Sequence, residues 1–251
     1  MNEELEKYIA SLELAESNLP KGHFEVFAAL EGFENAESAE TSFLNFKSLN
    51  SFVANVSEGR REDVLNSLLL AQRAATKAFP EETQIVNWYK KYYEVLNTIG
   101  WVIENKDFTI FDTSATLFEI DKAIFEIIST ALTGNQLAIL TKVIDTFKNL
   151  GENDHRLIAF ERNTHTLQKG SFQLGVATED NYTISITSFA FIINSSKQIT
   201  QILFFRSAIE ETEFQFSLNK ATLAESVFAN ARDAIKQKLG NVEAFIVSLD
   251  I

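Results

Sequence analysis

The amino-acid sequence predicts an α+β fold. A mainly helical region covers 1–150, an antiparallel meander of about five strands covers 151–220, and a C-terminal helical segment covers 221–251, with the helices packed on the sheet. Three observations predict it. Apolar residues recur at helical spacing up to about residue 150 and alternate every second residue beyond it. Short turn signals divide the alternating stretches (Lys169-Gly170, Glu179-Asp180-Asn181 and Asn194-Ser195-Ser196), and such short loops favour antiparallel neighbours. A chain of 251 residues that is 45% apolar and 23% charged has globular composition and enough material for a core. No internal repeat or linker composition interrupts it, so a single domain over 1–251 is expected.

Residues 3–17 read as an acidic helix, stopped at Asn18-Leu19-Pro20-Lys21-Gly22. Residues 23–31 fit a strand and a short helix equally, and 34–41 read as a polar loop or helix start. Over 42–56, Phe43, Phe46, Leu49, Phe52, Val53 and Val56 lie near a helical stripe. The next helix, 60–79, carries Val64, Leu65, Leu68, Leu69 and Ala75. Pro80 then suits the first turn of a helix running to about Thr98, with Glu81 and Glu82 near its positive end. Residues 107–112 read as a short strand and 115–130 as a helix on Leu117, Ile120, Ile124, Ile127 and Ile128. Asn135 is placed to cap another helix that ends before Gly151.

Past that point the predicted strands are 156–162, 171–178, 182–193, 199–206 and 212–218. The apolar run Ile202-Leu203-Phe204-Phe205 reads as a central strand covered on both faces. A last helix runs from about Ala221 to Leu239 and is broken by Gly240-Asn241. Residues 242–249 are apolar enough to dock back on the body.

Charge narrows the partners. The chain carries 35 acidic and 22 basic side chains, for a net charge of −13, of which −8 falls within residues 1–40. A pI near 4.8 lacks the basic footprint of a nucleic-acid binder, so no nucleic acid is expected. It also opposes attraction to anionic lipid at neutral pH. The N-terminus shows no basic stretch followed by an apolar run, and no segment reaches the length of a membrane helix. The expected compartment is the cytoplasm, with non-classical export left open.

Chemistry-bearing motifs are sparse. The chain has no cysteine, so it holds no disulfide framework, zinc ribbon or thiol nucleophile. Phosphate-binding glycine loops, the G-x-S-x-G elbow and H-E-x-x-H are all missing. His155 and His165 lie an even number of residues apart and with Asp154 or Glu161 would mimic a two-His, one-carboxylate metal set. The spacing also suits solvated or hydrogen-bonded histidines. The acid groups Glu81/Glu82 and Glu210/Glu211/Glu213 would need to face each other across a cleft to act as a catalytic pair. No catalytic residue, metal ligand or cofactor is assigned.

Aromatic residues carry the remaining signal. Phenylalanine occurs 22 times, beside five Tyr and two Trp. Residues 88–102 hold both tryptophans and three of the tyrosines, either as an interface or pocket wall or as rings that anchor a helical layer on the sheet. Over 182–193, Thr183, Ser185 and Thr187 alternate with Tyr182, Ile184 and Ile186, followed by Phe189 and Phe191. That alternation suits a half-buried strand and also a membrane β-hairpin.

Three stretches carry a family likeness: WYKKYYEVLNTIGWVIENKDF at 88–108, HRLIAFERNTHTLQKGSFQLG at 155–175 and KLGNVEAFIVSLDI at 238–251. With their order of helices, meander and last helix, they resemble a set of bacterial and fungal relatives of the insect-gut virulence factor Evf, over about residues 80–251. The resemblance implies an apolar channel. Evf is associated with an acylated cysteine in that channel, and this chain has no residue to carry such an anchor.

The expected function is a non-enzymatic interaction protein, a virulence or defence factor acting at a host surface or membrane. The alternative is a carrier or sensor that holds an apolar small molecule or lipid between helices and sheet, on Trp88, Trp101, Phe189, Phe191 and Phe204. The oligomeric state is left open.

Overall fold

A computed structural model describes residues 2–17 and 40–249. The expected stop at 18–22, the ambiguous stretch 23–31 and most of 34–41 lie outside the described residues. Helix α1 spans Asn2–Ser11. A hairpin follows, β1 Thr41–Asn45 and β2 Ser48–Phe52, and then α2 Glu58–Ala78 and α3 Ile85–Thr98. Short strands β3 Trp101–Ile103, β4 Thr109–Ile110 and β5 Leu117–Glu119 lead to α4 Ile120–Ala131, α5 Gly134–Asn149 and α6 His155–Thr164. The long strands are β6 Lys169–Asp180, β7 Thr183–Ser195 and β9 Thr212–Leu223, with β8 Arg206–Ala208 before the last. The described chain closes with α7 Glu225–Phe228, α8 Arg232–Leu239 and β10 Ile246–Leu249.

Helix and sheet combine as expected, but the sheet is larger than a five-strand meander. Eight strands form one sheet, in the order β10-β1-β2-β6-β7-β9-β3, with β4 also on β9. Strands β5 and β8 form a separate pair. The antiparallel trio β6-β7-β9 matches the expected meander. The hairpin β1-β2 joins its flank, with β2 parallel to β6. Residues 242–249 do dock back, as an edge strand antiparallel to β1.

Four sequence expectations are corrected. The stretch 42–56 is a hairpin and not a helix. Both of its strands are buried on both faces, so the alternation that marks a half-buried strand is missing. Phe46 takes the turn at φ +56. Residues 156–162 lie in α6 and not in a strand. Asp154 caps that helix by accepting the Arg156 backbone N–H at 2.8 Å, a start signal that the strand expectation passed over, because the short apolar run 157–160 has no period of its own.

The apolar run at 202–205 is a 3₁₀ turn over Ile202–Phe204 leading into β8, and not a central strand. A short apolar run has no period that separates these outcomes. The expected helix from Ala221 is divided: Ala221 to Leu223 finish β9, and α7 and α8 follow as separate pieces.

Helices cover both faces of the sheet. On one face α1, α2, α3, α7 and α8 share a core with Ala177, Ile184, Ile186, Ala190, Ile192, Ala221 and Leu223. On the other, α4, α5, α6 and the 202–204 turn pack on Leu44, Leu49, Phe172, Leu174, Phe189, Phe191 and Phe214. A run of phenylalanine rings crosses this second core. Phe147 meets Phe160 at 5.2 Å between centroids, and Phe160 meets Phe172 at 6.0 Å. Phe172 stacks on Phe191 at 5.0 Å, Phe191 stacks on Phe214 at 5.5 Å, and Phe118 closes on Phe214 at 5.3 Å. Each such pair adds about 0.5–1.5 kcal/mol beyond area burial.

On the first face, α8 is held to α2 by charge. Arg232 makes a two-pronged contact with buried Asp63, at 2.8 and 2.9 Å, and also reaches Glu225 at 2.8 Å. Arg60 joins the same group through Glu225 and Asp63.

Phe191 sits mid-run with no exposed surface. Phe191→Ala is expected to destabilise the fold by about 3–5 kcal/mol, read from urea unfolding midpoints.

Candidate functional site: a polar seam beneath the aromatic helix

Strand pairing builds two rows of small or polar residues across four strands. One row reads Ser48, Gln173, Ala190, Ser217, and the next reads Asn50, Gly175, Ser188, Asn219. Both rows lie on the face covered by α2 and α3. The opposite face at the same level carries the row Leu49, Leu174, Phe189, Leu218. At this level the two faces of the sheet are unlike, polar against apolar, and both are buried. Gly175 is part of the fit: a side-chain carbon there would stand 2.9 Å from Asn50 Oδ1.

The polar rows are met by polar atoms from the helices. Gln72 of α2 donates from Nε2 to Asn45 O and Ser48 Oγ, both at 3.2 Å, and its Oε1 accepts from the Lys47 N–H at 2.9 Å. Asn45 Nδ2 donates to Leu65 O at 3.0 Å. From α3, Tyr93 accepts from Asn219 Nδ2 at 3.1 Å. Tyr89 and Tyr92 turn their hydroxyls towards Gln173. Gln173 Nε2, Ser217 Oγ and Asn45 Oδ1 close no well-formed hydrogen bond, although all three are buried.

Helix α3 supplies this aromatic layer because its rings fall on one face, with Trp88, Tyr89, Tyr92 and Tyr93 all buried. Trp88 stacks on Tyr92 at 5.3 Å, and Tyr89 meets Phe108 at 4.8 Å. Burial pushes the Tyr89, Tyr92 and Tyr93 hydroxyls well up from their ordinary value.

At the hairpin turn the seam opens into a cleft of about 210 Å³, lined by Lys47, Glu82, Trp88, Arg162, Asn163 and His165 among others. Lys47 Nζ lies 3.3 Å from Glu82 Oε1 and 5.4 Å from the Trp88 ring centre. Trp88 Nε1 donates to Thr76 Oγ1 at 2.8 Å. Asn163 Oδ1 is buried without a partner. His165 Nε2 stands 2.6 Å from Glu161 Oε2, and Nδ1 stands 2.8 Å from Thr166 O.

The residues singled out in the sequence are distributed as follows. Trp88 lines the cleft. Trp101 is buried in the same layer, on β3, with its ring N–H unpartnered. Phe189 and Phe191 are buried on the opposite face, and Phe204 is half-buried in the 202–204 turn there. The sheet stands between the two tryptophans and the three phenylalanines.

His155 and His165 sit at opposite ends of α6, about 15 Å apart along the axis. Among the described residues, no three His, Cys, Asp or Glu side chains gather as a metal set. Glu81 and Glu82 border the cleft, whereas Glu211 pairs with Lys197 at 3.1 Å and Glu213 accepts from Gln215. Sequence reading passed over Lys47, Gln72, Gln173 and Asn219. A trace of the polar rows was present as polar pairs two apart on one side of a strand: Ser48/Asn50 and Ser217/Asn219.

No known protein family and no curated protein matches the chain. Solved structures give distant likenesses. A delta-endotoxin is 11% identical, over 72% of this chain and 81% of its own, with a TM-score of 0.39. The activated Cyt2Ba monomer from Bacillus thuringiensis subsp. israelensis is 14% identical, over 65% of this chain and 81% of its own, with a TM-score of 0.31. The Evf virulence factor is 10% identical, over 87% of each chain, with a TM-score of 0.29. The Evf likeness noted in the sequence thus recurs as a weak likeness of shape.

The tyrosines make the seam sensitive to high pH. Their folded pKa values are raised, so the stability they contribute is intact below the ordinary value of 10.0 and falls as pH climbs past it. In an alkaline titration, phenolate absorbance from Tyr89, Tyr92 and Tyr93 is expected to rise only together with loss of the circular dichroism signal. Separate ionisation in the folded chain would contradict this.

Proposed function

We propose that the chain is an interaction protein of the virulence or defence type, and that its partner is a lipid surface at the host. One observation carries the reading: the amphipathic trio β6-β7-β9. These strands run 12, 13 and 12 residues, against about 9–11 needed by a tilted strand to cross a bilayer's hydrocarbon. They are contiguous and antiparallel, with one face of Phe and Leu at mid-length and the other of Ser, Gln, Asn, Gly and Ala there, flanked by Ile184, Ile186 and Ile192. An apolar face outward with a polar face inward is the pattern of a membrane β-hairpin. No helix among the described residues is long and apolar enough to cross a membrane.

The two coverings differ in what can replace them. Water can take over the hydrogen bonds that α2 and α3 make to the polar rows. The phenylalanine face, once uncovered, needs another apolar medium. A bilayer offers both at once.

Dye release from vesicles tests the proposal. The full chain is expected to release dye from zwitterionic vesicles at pH 7. Release from anionic vesicles should increase as pH falls towards about 4.5 and the acidic residues, densest in 1–40, lose charge. Neither release nor co-sedimentation with either lipid at either pH would overturn it.

A further inference from the structure

The His165 ring faces an acceptor on each side. The Thr166 carbonyl lies 2.8 Å from Nδ1 and the Glu161 carboxylate 2.6 Å from Nε2. A backbone carbonyl cannot donate. Glu161 Oε2 already receives the Ile202 N–H at 3.0 Å. The ring therefore donates from both nitrogens, and only imidazolium carries two N–H groups. We infer that His165 is a proton-controlled clasp. When protonated it ties Glu161 of α6 to the Thr166 carbonyl just past the helix end and, through the shared Glu161 oxygen, holds the Ile202–Phe204 turn. On losing its proton the ring gives up one of the two contacts, and release of the Glu161 contact frees that turn.

The surroundings fit this role. His165 forms a β-bridge to Gly170, the second residue of β6. Gly170 has no room for a side chain, because an added carbon would lie 2.5 Å from Ile202 Cδ1 and 2.9 Å from His165 Cβ. Side-chain exposure is 13% at His165 and 15% at Glu161, so solvent screens the pair weakly. Other charges around the ring come from several elements. Arg162 lies on its own helix, Lys47 on the hairpin turn, and Glu81 and Glu82 on the turn before α3, all at the shared cleft. The 202–204 turn presents a backbone N–H and apolar side chains, with Ile202 and Leu203 fully buried.

When His165 is neutral, one ring nitrogen presents a lone pair to an oxygen at 2.6–2.8 Å, so one of the two contacts must open. If Glu161 swings away, Ile202 loses its acceptor. Burial pulls the imidazolium pKa down, but the Glu161 carboxylate and the Thr166 carbonyl outweigh it and hold it above the ordinary histidine value. The clasp is thus complete below 6.5 and is lost as pH rises through the raised folded value. Above that value the protonated fraction falls about tenfold per pH unit.

Two magnetic-resonance measurements on the intact chain test the clasp: the ¹⁵N shifts of the His165 ring, and amide exchange at Ile202 relative to β7 amides in the same sample. Taking the ratio removes the general base dependence of exchange. His165 should be doubly protonated at pH 6. Relative protection of Ile202 should then fall by up to about tenfold per pH unit beyond the His165 titration. In His165→Gln, and separately in Glu161→Gln, the ratio should be low and independent of pH, whereas His155→Gln should keep the wild-type step. A neutral ring at pH 6, a ratio unchanged across the titration, or a step that survives in His165→Gln would each overturn the inference.

Discussion

The structure depends on one constraint: three long adjacent strands have two unlike faces, and both must be kept from water. Along β7, Phe189, Phe191 and Ile193 point one way, and Ile184, Ile186, Ser188, Ala190 and Ile192 point the other. A single helical layer would leave a whole face exposed, so the chain supplies two. The phenylalanine face takes α4, α5, α6 and the 202–204 turn. The mixed face takes α1, α2, α3, α7 and α8. The abundance of phenylalanine follows from this arrangement, since a ring with no polar atom suits a core that is dry throughout.

The two interfaces are held by different physics. On the phenylalanine side, burial and ring contacts dominate; they are strong and carry little direction. On the other side, apolar packing at the periphery surrounds a centre where Gln72 donates to Ser48 and Asn219 donates to Tyr93. Each bond is worth only about 0.5–1.5 kcal/mol net, yet an unmade buried bond costs about 1–3 kcal/mol. Such a centre fixes how α2 and α3 sit on the sheet more than it adds strength. The Asp63–Arg232 contact acts similarly: it joins residues far apart in sequence, and a lone buried Asp63 would be costly.

Legibility in the sequence followed how each element is buried. Helix α3 could be read because it has a core side, and α2, although buried all round over 63–72, from the helical spacing of Val64, Leu65, Leu68 and Leu69, with Pro80 dividing the two. Strands β6, β7 and the start of β9 could be read from their alternation and the turns between them. The hairpin β1-β2 could not, because Ser42, Asn45, Ser48, Asn50 and Ser51 are buried as fully as the phenylalanines beside them. Their partners are mostly one another and α2. Helix α6 was hidden for a different reason: its apolar residues, Leu157 to Phe160, form one short unbroken run, which has no period to separate strand from helix.

The sequence by itself determined the element types wherever one side of an element meets the core, since spacing along a single segment reports that directly. It also determined the absence of cysteine chemistry and the acidity of the first forty residues. The tertiary structure alone decided which side chains share a face across strands. Register aligned Gln173 with Ser48 and Ala190, and put Trp88 and Trp101 on the side away from Phe189, Phe191 and Phe204. It also decided that β2 runs parallel to β6, and that His165 meets two acceptors at once. The physical reason is common to all of these. Register and convergence are set by contacts between segments as much as 228 residues apart, and spacing within one segment carries no record of them.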